Sequence, residues 1–117
     1  MSKRASALTA RQLGHYAPVF AALGDETRLL LLVRLCDAQT WSISRLAEGS
    51  PITRQAITKH LRVLEDAGVV NAEIRGRERL FKLEPQALAD LRNYLAVVSQ
   101  QWEQALSRLK AFVEQSK

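Results

Sequence analysis

The clearest hydrophobic pattern lies in the last third of the chain. Apolar residues recur there at alternating spacings of three and four, the heptad spacing of a helix that packs along a narrow seam. A helix of about 28 residues is about 40 Å long, more than a domain of this size covers by itself. We therefore expect a second copy of the chain to cover the remainder. The seam positions are Leu88, Leu91, Leu95, Val98, Trp102, Ala105, Leu109 and Phe112.

Residues 53 to 67 show the pattern of an amphipathic helix with a polar, basic outer side. Ile57, Leu61 and Leu64 repeat at the spacing of one helix face and predict a buried stripe. Thr53 is placed to cap the start of this helix, and Gly68 is placed to end it. The side chains left pointing outward are Arg54, Gln55, Thr58, Lys59 and Arg62.

Beyond Gly68 the period changes from helical to alternating, which indicates β-strands. Strands are predicted over residues 69–75 and 78–83, around a turn at Arg75, Gly76 and Arg77. A hairpin beside the preceding helix suits a protein that puts one helix in the major groove of DNA and contacts phosphates next to it. The two elements together predict a winged helix-turn-helix.

The first half of the chain predicts short helices that support this unit. Two helical pieces are expected around Pro18, with the proline in the first turn of the second piece because it lacks a backbone donor. Asp25 is placed to cap the next helix. Residues 28–37 are apolar on nearly every side, as expected of a helix at the centre of a small core. A short helix is predicted over residues 44–48, and a turn at residues 49–51.

The predicted fold class is mainly α with a small β-hairpin, a winged helix-turn-helix that is dimeric through its terminal helices. Residues 1–8 are small, polar and basic and are expected to form a mobile arm. Residues 9–117 are predicted to form a single domain, with a dimerisation helix at about residues 85–115. For Trp102, packing at the interface is weighed against lining a small-molecule pocket between the subunits. The residues expected at the dimer interface are Tyr16, Phe20, Leu91, Leu95, Val98, Trp102 and Leu109.

The charge of the chain favours a polyanionic partner. Its 117 residues carry a net charge of +5, and their composition is ordinary for one compact domain. Between residues 54 and 82 there are seven basic residues against four acidic ones. The excess therefore lies on the predicted helix and hairpin, where phosphate contacts are needed.

The single cysteine, Cys36, excludes an intrachain disulfide and gives no sign of an oxidising compartment. A buried, inert thiol is expected because it falls on an apolar helix. The longest apolar run, over residues 29–33, is too short to span a bilayer, and the first residues lack the apolar core of a signal peptide. We therefore expect a cytoplasmic protein with no membrane partner.

The outward side chains of the helix and the hairpin can donate hydrogen bonds to the bases and phosphates of DNA. Arg54 and Lys59 can donate to guanine or phosphate, and Gln55 can pair with adenine. The hairpin arginines are expected to contact phosphates or the minor groove, with a merely solubilising role at an exposed strand edge as the alternative. The residues predicted to bind double-stranded operator DNA are Thr53, Arg54, Gln55, Thr58, Lys59, His60, Arg62, Arg75, Arg77 and Arg79.

His60 lies beside the buried stripe, so a packing or hydrogen-bonding role stands equal to DNA contact. Two other classes of function stay open: a winged helix used for protein contact, and a DNA-binding metal or thiol sensor with an unrecognised site. The chain has no Gly-rich phosphate loop, no G-x-S-x-G and no pairing of nucleophile with base. Neither an enzyme nor a cofactor is expected.

With these segments in place, the chain resembles the ArsR/SmtB family of bacterial winged-helix repressors. The resemblance covers about residues 17–113, and its matching pieces are FAALGDETRL at residues 20–29, ITRQAITKHLRVL at residues 52–64 and RGRER at residues 75–79. It implies a homodimer that binds an imperfect palindrome in a promoter. It also implies repression of transcription until an effector, which the sequence does not identify, lowers the affinity for DNA.

Metal sensors of that family carry a Cys-x-Cys pair in the helix before the recognition helix, or His and acidic ligands on the C-terminal helix. Residues 42–46 of this chain are SISRL, and no histidine follows His60. The chain is similar to the metal-free branch whose C-terminal helix bears a tryptophan, here WEQALSRL at residues 102–109. The resemblance therefore implies no metal.

Overall fold

The computed structural model describes residues 10–37 and 40–115 of the chain. In these ranges it contains five α-helices and a three-stranded antiparallel sheet. The arm predicted at residues 1–8 lies outside the described residues. The helices are α1 (Ala10–Leu23), α2 (Glu26–Leu35), α3 (Ile43–Ala47), α4 (Arg54–Asp66) and α5 (Pro85–Gln115). The strands are β1 (Trp41–Ser42), β2 (Val70–Arg75) and β3 (Glu78–Leu83).

The sheet has the strand order β1-β3-β2. The predicted hairpin is confirmed, because β2 and β3 pair along their whole length. The prediction of a hairpin alone was incomplete, since β1 adds a third strand whose Trp41 lies opposite Phe81. A strand of two residues is too short to show an alternating pattern. Only its pairing with β3 defines it.

Helix α1 runs without a break through Pro18, so the prediction of two shorter pieces is wrong. A proline inside a helix leaves the carbonyl four residues earlier without a donor, and its ring crowds that carbonyl. Here that residue is Gly14, which is exposed and has no side chain, so water can supply the missing donor. Val19 and Ala22, which follow the proline, are buried and hold the helix against the core.

Helix α2 is less buried than its composition predicts. Leu31 and Leu35 belong to the core, but the expectation of burial on nearly every side is wrong. Helix α2 contacts α1, α4 and β3, and these contacts leave its opposite side open to solvent in a single copy of the chain. The exposed apolar side chains of α2 are Leu29, Leu30 and Val33.

Helix α4 packs into the core with one side and exposes the other. Its predicted stripe of Ile57, Leu61 and Leu64 is fully buried, in one cluster with Leu46 of α3 and Phe81 of β3. Because this side is held by apolar packing, the opposite side of α4 is presented to solvent. The cap residues outside the helix therefore fix its start, and the stripe fixes which side chains are offered outward.

Helix α5 begins at Pro85, a residue suited to the first helical turn because no backbone donor is required there. The molecule is 67 Å long and 29 Å across, so this helix of 31 residues extends well beyond the other elements. Every residue from 102 to 115, here called distal α5, is exposed. None of the described helices is long and apolar enough to cross a membrane.

Candidate nucleic-acid interface

The polar side of α4 faces solvent, as its buried stripe predicted. Gln55, Lys59 and Arg62 are exposed, and within the described part of the chain their side chains have no hydrogen-bond or ion-pair partner. They line an open groove of about 450 Å³, here called the α4 groove, into which no carboxylate points. The donors of these three side chains are therefore free for an external acceptor. The residues lining it are Ile43, Arg54, Gln55, Thr58, Lys59 and Arg62.

The first turn of α4 is fixed by hydrogen bonds from three predicted site residues. Thr53 caps the helix, because its hydroxyl oxygen accepts from the backbone N–H of Ala56 at 3.1 Å. The Thr58 hydroxyl donates to the backbone carbonyl of Arg54 at 2.8 Å, which leaves only its oxygen as an acceptor. The Arg54 guanidinium donates to Ser44 Oγ on α3 at 2.7 Å. Ser44 was not predicted, because nothing in its local pattern indicates that α3 lies beside the start of α4.

The hairpin of β2 and β3, here called the wing, ends in a two-residue turn that exposes Arg77. Gly76 has φ +60, a left-handed conformation that suits glycine at the first position of a hairpin turn. In the described residues the Arg77 side chain has no partner. Arg75 lies 3.4 Å from Glu73 on the same strand, a contact between exposed groups that contributes little.

Arg79 is engaged within the subunit. Its Nη2 donates to both carboxylate oxygens of Glu65 on α4, at 2.9 and 2.8 Å, and its guanidinium carbon lies 5.3 Å from the centre of the Phe81 ring. This ion pair ties the wing to the C-terminal turn of α4. The three hairpin arginines are thus not equivalent, since Arg77 is free and Arg79 is held.

A cleft of about 260 Å³ lies between the wing and the start of α4. It brings Arg54 together with Arg77 and Arg79, which lie more than twenty positions after Arg54 in the sequence. Because Arg79 is paired with Glu65 and Glu78 also lines the cleft, Arg54 and Arg77 are the guanidinium groups there without a carboxylate partner among the described residues, and guanidinium donors match the oxygens of a phosphate group. The other residues lining this cleft are Ser42, Ile43, Ser44 and Glu78.

His60 does not belong to the exposed side of α4. Its side chain is only 24% exposed, and its Nδ1 lies 3.3 Å from Nη1 of Arg28 and 3.9 Å from Oδ2 of Asp25. The geometry agrees with the hydrogen-bonding role considered for this residue. It places His60 on the side of α4 that faces α2.

Asp25 caps α2, as predicted, and its carboxylate is held in its charged form. Its Oδ2 accepts from the backbone N–H of Arg28 at 3.0 Å. This hydrogen bond is the main cause of a lowered pKa for Asp25; loss of hydration opposes it, while the charges of Arg28 and His60 add to it.

The predicted dimer residues fall into two groups. Leu91 is only 8% exposed and packs in the core of its own subunit, so its assignment to a surface seam is corrected: its apolar surface is already covered. Tyr16 and Phe20 contact Tyr94 of the same subunit, with ring centres 4.6 and 5.4 Å apart. Tyr94 was missed because it lies beside the seam and outside the heptad pattern.

The remaining predicted dimer residues lie further along α5 and are open to solvent. Leu95 and Leu109 are about half exposed, and Trp102 is 63% exposed. Val98 is half-buried. Among the described residues of one subunit, the apolar stripe therefore continues onto distal α5 without a partner.

Cys36 is exposed, so the expectation of a buried thiol is wrong. Helix α2 ends at Leu35 and Cys36 is its C-cap, which carries the side chain away from the buried side of the helix. Among the residues that the structure describes, no group of three or more His, Cys, Asp or Glu side chains is arranged to hold a metal ion.

Comparisons with known proteins agree with this architecture. A family model described as the bacterial regulatory protein, arsR family, matches residues 25–72. The HTH-type transcriptional regulator YuzN of Bacillus subtilis (strain 168) is 38% identical over 84 residues, which is 67% of this chain and 91% of that protein. The arsenical resistance operon repressor of the same organism is 28% identical over 79 residues, 68% of this chain and 75% of that protein.

A solved structure of an ArsR-like transcriptional regulator from Rhodococcus sp. RHA1 superimposes with a TM-score of 0.81 at 35% identity. The match covers 92% of this chain and 98% of that one, so it includes the helix-turn-helix, the wing and most of α5. A match over nearly the whole length of both chains extends the likeness beyond the residues of the family model. The chain belongs to the ArsR family and is a winged helix-turn-helix, DNA-binding transcriptional regulator.

Proposed function

We propose that this regulator is a repressor that binds a promoter palindrome as a homodimer in the cytoplasm, with α4 of each subunit as the recognition helix in the major groove. The observation that carries the proposal is the cleft in which Arg54 meets Arg77 and Arg79, next to the acid-free α4 groove. A DNA backbone at the cleft places α4 against the base edges. Basic side chains thus lie on both the recognition helix and the wing.

The α4 groove supplies the base contacts in this proposal. Gln55 offers an amide that can pair with adenine, and Lys59 and Arg62 offer cationic donors to guanine or to phosphates. None of the three has a partner within the described residues, so binding DNA requires no internal bond to be broken. Arg54 is different, because its bond to Ser44 positions the guanidinium before DNA arrives.

The wing supplies phosphate contacts, and Arg77 is the principal one. Arg77 lies at the exposed turn and has no partner among the described residues, whereas Arg79 is bound to Glu65 through two hydrogen bonds. An arginine that already has a carboxylate partner gains less from a phosphate, because it must share or lose that partner. Arg79 therefore holds the wing against the recognition helix.

The homodimer in this proposal rests on distal α5. Its exposed apolar side chains form a surface that a soluble protein does not ordinarily leave in contact with water. The heptad spacing is suited to packing against the same helix of a second subunit. Two joined subunits present two recognition helices, which matches a site built from two half-sites. The exposed members of this surface are Trp102, Leu106, Leu109, Phe112 and Val113, and the exposed Leu95 extends it along α5 towards the rest of the subunit.

The proposal is tested with the DNA upstream of the gene that encodes this chain. Binding to duplexes from that region and to a scrambled duplex of the same composition is measured over a series of salt concentrations. We expect preference for a segment with an inverted repeat, and an affinity for both duplexes that falls steeply with salt, because phosphate contacts release counterions. Affinity that is independent of salt would contradict the DNA interface and favour a protein-binding winged helix.

A transcription assay from the same promoter tests repression. Added protein is expected to lower transcript yield from the wild-type promoter but not from one with the inverted repeat scrambled. An increase in transcript yield would overturn the assignment as a repressor while leaving DNA binding intact.

A further inference from the structure

One guanidinium group, that of Arg28 at the start of α2, joins three helices. Its Nε donates to the carbonyl of Ala22, and its Nη2 donates to that of Ala21 at 3.5 Å. Both carbonyls lie in the last turn of α1, which ends at Leu23. The remaining nitrogen, Nη1, lies 3.3 Å from His60 Nδ1 on the recognition helix.

The position requires the donors of an arginine. The last carbonyls of a helix have no donor within that helix. The Ala21 carbonyl also accepts from the backbone N–H of Gly24 at 3.2 Å, and the planar guanidinium serves the Ala22 carbonyl while directing another N–H elsewhere. A lysine presents a single nitrogen and cannot reach both ends of this arrangement at once. The backbone of Arg28 is fixed too, because its N–H donates to Asp25 Oδ2 at 3.0 Å. Both the backbone and the side chain at this position are therefore held.

His60 receives this contact on the inner side of the recognition helix. Because the guanidinium can only donate, Nδ1 accepts in this contact, and the ring proton then lies on Nε2. With its side chain only 24% exposed, His60 faces away from the α4 groove. We therefore expect it to affect DNA binding through the position of the helix.

Helix α1, whose C-terminal end Arg28 caps, also packs against α5. Tyr16 and Phe20 contact Tyr94 with ring centres 4.6 and 5.4 Å apart. A continuous set of contacts thus runs from α5 through α1 and Arg28 to His60. The helices of the proposed dimer are connected to the recognition helix by aromatic contacts between α5 and α1 and by the hydrogen bonds of Arg28.

The hydrogen bonds add something that the apolar stripe cannot. Apolar contacts are non-directional and set which side of α4 is buried, whereas a hydrogen bond weakens steeply when its angle changes and so constrains the orientation of the helix more closely. We propose that Arg28 and His60 are positioning residues for operator recognition, which fix the orientation of the recognition helix relative to α1 and α5. This inference rests on the proposed function, since it assigns discrimination between DNA sequences to residues that do not touch DNA.

The test measures discrimination as a ratio of two affinities. The probes are a duplex of about 30 base pairs, roughly three helical turns, selected by the wild-type protein from a randomised library, and its scrambled counterpart. The variants are Arg28→Gln, His60→Leu and the double variant. Arg92→Gln is the matched control, because it removes the same charge from an exposed position on α5.

We expect each single variant to lower the ratio of selected to scrambled affinity by about tenfold, and the double variant to lower it no further, since coupled residues are not additive. Arg92→Gln should leave the ratio unchanged. A purely structural role would lower the melting temperature but leave the ratio of the folded protein intact. Unchanged ratios, or losses that add in the double variant, would overturn the proposal.

A series at His60 keeps the proposal testable even if Arg28→Gln does not fold. His60→Asn places an amide oxygen near the position of Nδ1 and should retain the ratio. His60→Gln places its amide near the position of Nε2 and should lower the ratio of selected to scrambled affinity as much as His60→Leu does. Equal ratios for all three variants would contradict the role of the Arg28 contact.

The failure of this inference can be distinguished from failure of the proposed function. A wild-type protein that selects no sequence from the library contradicts operator binding itself. A wild-type protein that selects a sequence, with Arg28 and His60 variants that discriminate equally well, contradicts only the positioning role.

Discussion

Helix α4 and distal α5 are both amphipathic, yet they leave opposite kinds of surface in contact with water. Helix α4 buries Ile57, Leu61 and Leu64 completely and exposes polar and basic side chains. Distal α5 exposes its apolar side chains, with Trp102 at 63% and Phe112 at 69%. Exposed charge is stable in water without a partner, whereas a contiguous apolar surface marks a place where one is missing. We therefore expect α4 to meet a polyanion and distal α5 to meet another apolar surface.

The largest expected effect is on the free energy of unfolding, which should depend on the buried stripe of α4 and not on the exposed stripe of distal α5. Leu61→Ala should lower the free energy of unfolding by about 2–5 kcal/mol, because it leaves a cavity in the core. Leu109→Ala should change the stability of the dilute, monomeric protein by less than about 0.5 kcal/mol, as an exposed substitution does. Urea unfolding at a protein concentration below the dissociation constant of the dimer measures the change in stability of both variants. Equal losses would show that Leu109 packs within its own subunit.

A charge placed in the apolar stripe of α5 tests whether a second subunit packs against it. Leu95→Glu should weaken the dimer by about 2–4 kcal/mol, since it places an unpaired carboxylate where an apolar contact is needed. Sedimentation at micromolar concentration should then show a monomer, and binding to a palindrome should fall far more than binding to a single half-site. Asn93→Glu adds the same charge at an exposed position outside the stripe and should leave the dimer intact. A wild-type monomer, or a dimeric Leu95→Glu variant with normal binding, would contradict the interface.

Single alanine substitutions on the exposed side of α4 are expected to change DNA affinity and to leave the stability of the fold unchanged. Arg54→Ala and Gln55→Ala should each weaken specific binding by about 1–3 kcal/mol if the side chain contacts a base. The fold should persist, because both side chains are exposed and lie off the buried stripe. Affinity for the selected and scrambled duplexes measures the effect. Equal losses on both would assign these residues to phosphates.

Two arginines of the wing are expected to differ in how much they contribute to the salt dependence of DNA binding. Arg77→Ala should reduce the slope of log affinity against log salt by about one, the change expected for one lost phosphate contact. Arg79→Ala should leave that slope nearly unchanged, because Glu65 already binds this guanidinium. Titrations at several salt concentrations distinguish them. The same slope change in both variants would show that the Glu65 pair opens when DNA binds.

The smallest effect concerns pH and the cap of α2. The pKa of Asp25 is lowered mainly by the hydrogen bond from the backbone N–H of Arg28, so the stability that it contributes is present above the ordinary value, about 3.9, and is lost as the pH falls through the lowered value. Asp25→Asn cannot titrate at this position. The stability difference between wild type and Asp25→Asn should therefore be constant near neutral pH and shrink in acid. A difference that grows in acid would contradict the direction of the shift.

Several elements could be predicted from the sequence because their signals are local. The stripe of Ile57, Leu61 and Leu64 follows from helical periodicity, and the caps Thr53 and Asp25 lie next to the backbone groups that they satisfy. The alternation after Gly68 gave the hairpin, and the arginine content of its turn identified the wing. These features fixed the winged helix-turn-helix and the outward side of α4.

Local patterns failed where the environment of a side chain depends on another part of the chain. Leu91 fits the heptad pattern of α5 as well as Leu109 does, yet one is buried in its own core and the other is open to solvent. Leu29, Leu30 and Val33 look like core residues by composition and lie on the open side of α2. Periodicity specifies which residues share a helix face, but only packing specifies whether that face is covered.

The sequence by itself determined the type of each main element, the polar side of the recognition helix and the family. Only the tertiary structure decided that Arg79 is held by Glu65, that Arg54 is held by Ser44 and that Arg28 reaches His60, 32 residues away. The physical reason is the range of the interactions. Helical and strand patterns arise between neighbours a few residues apart, whereas the partner of a long charged side chain is set by which elements the fold brings within about 3 Å of its donors.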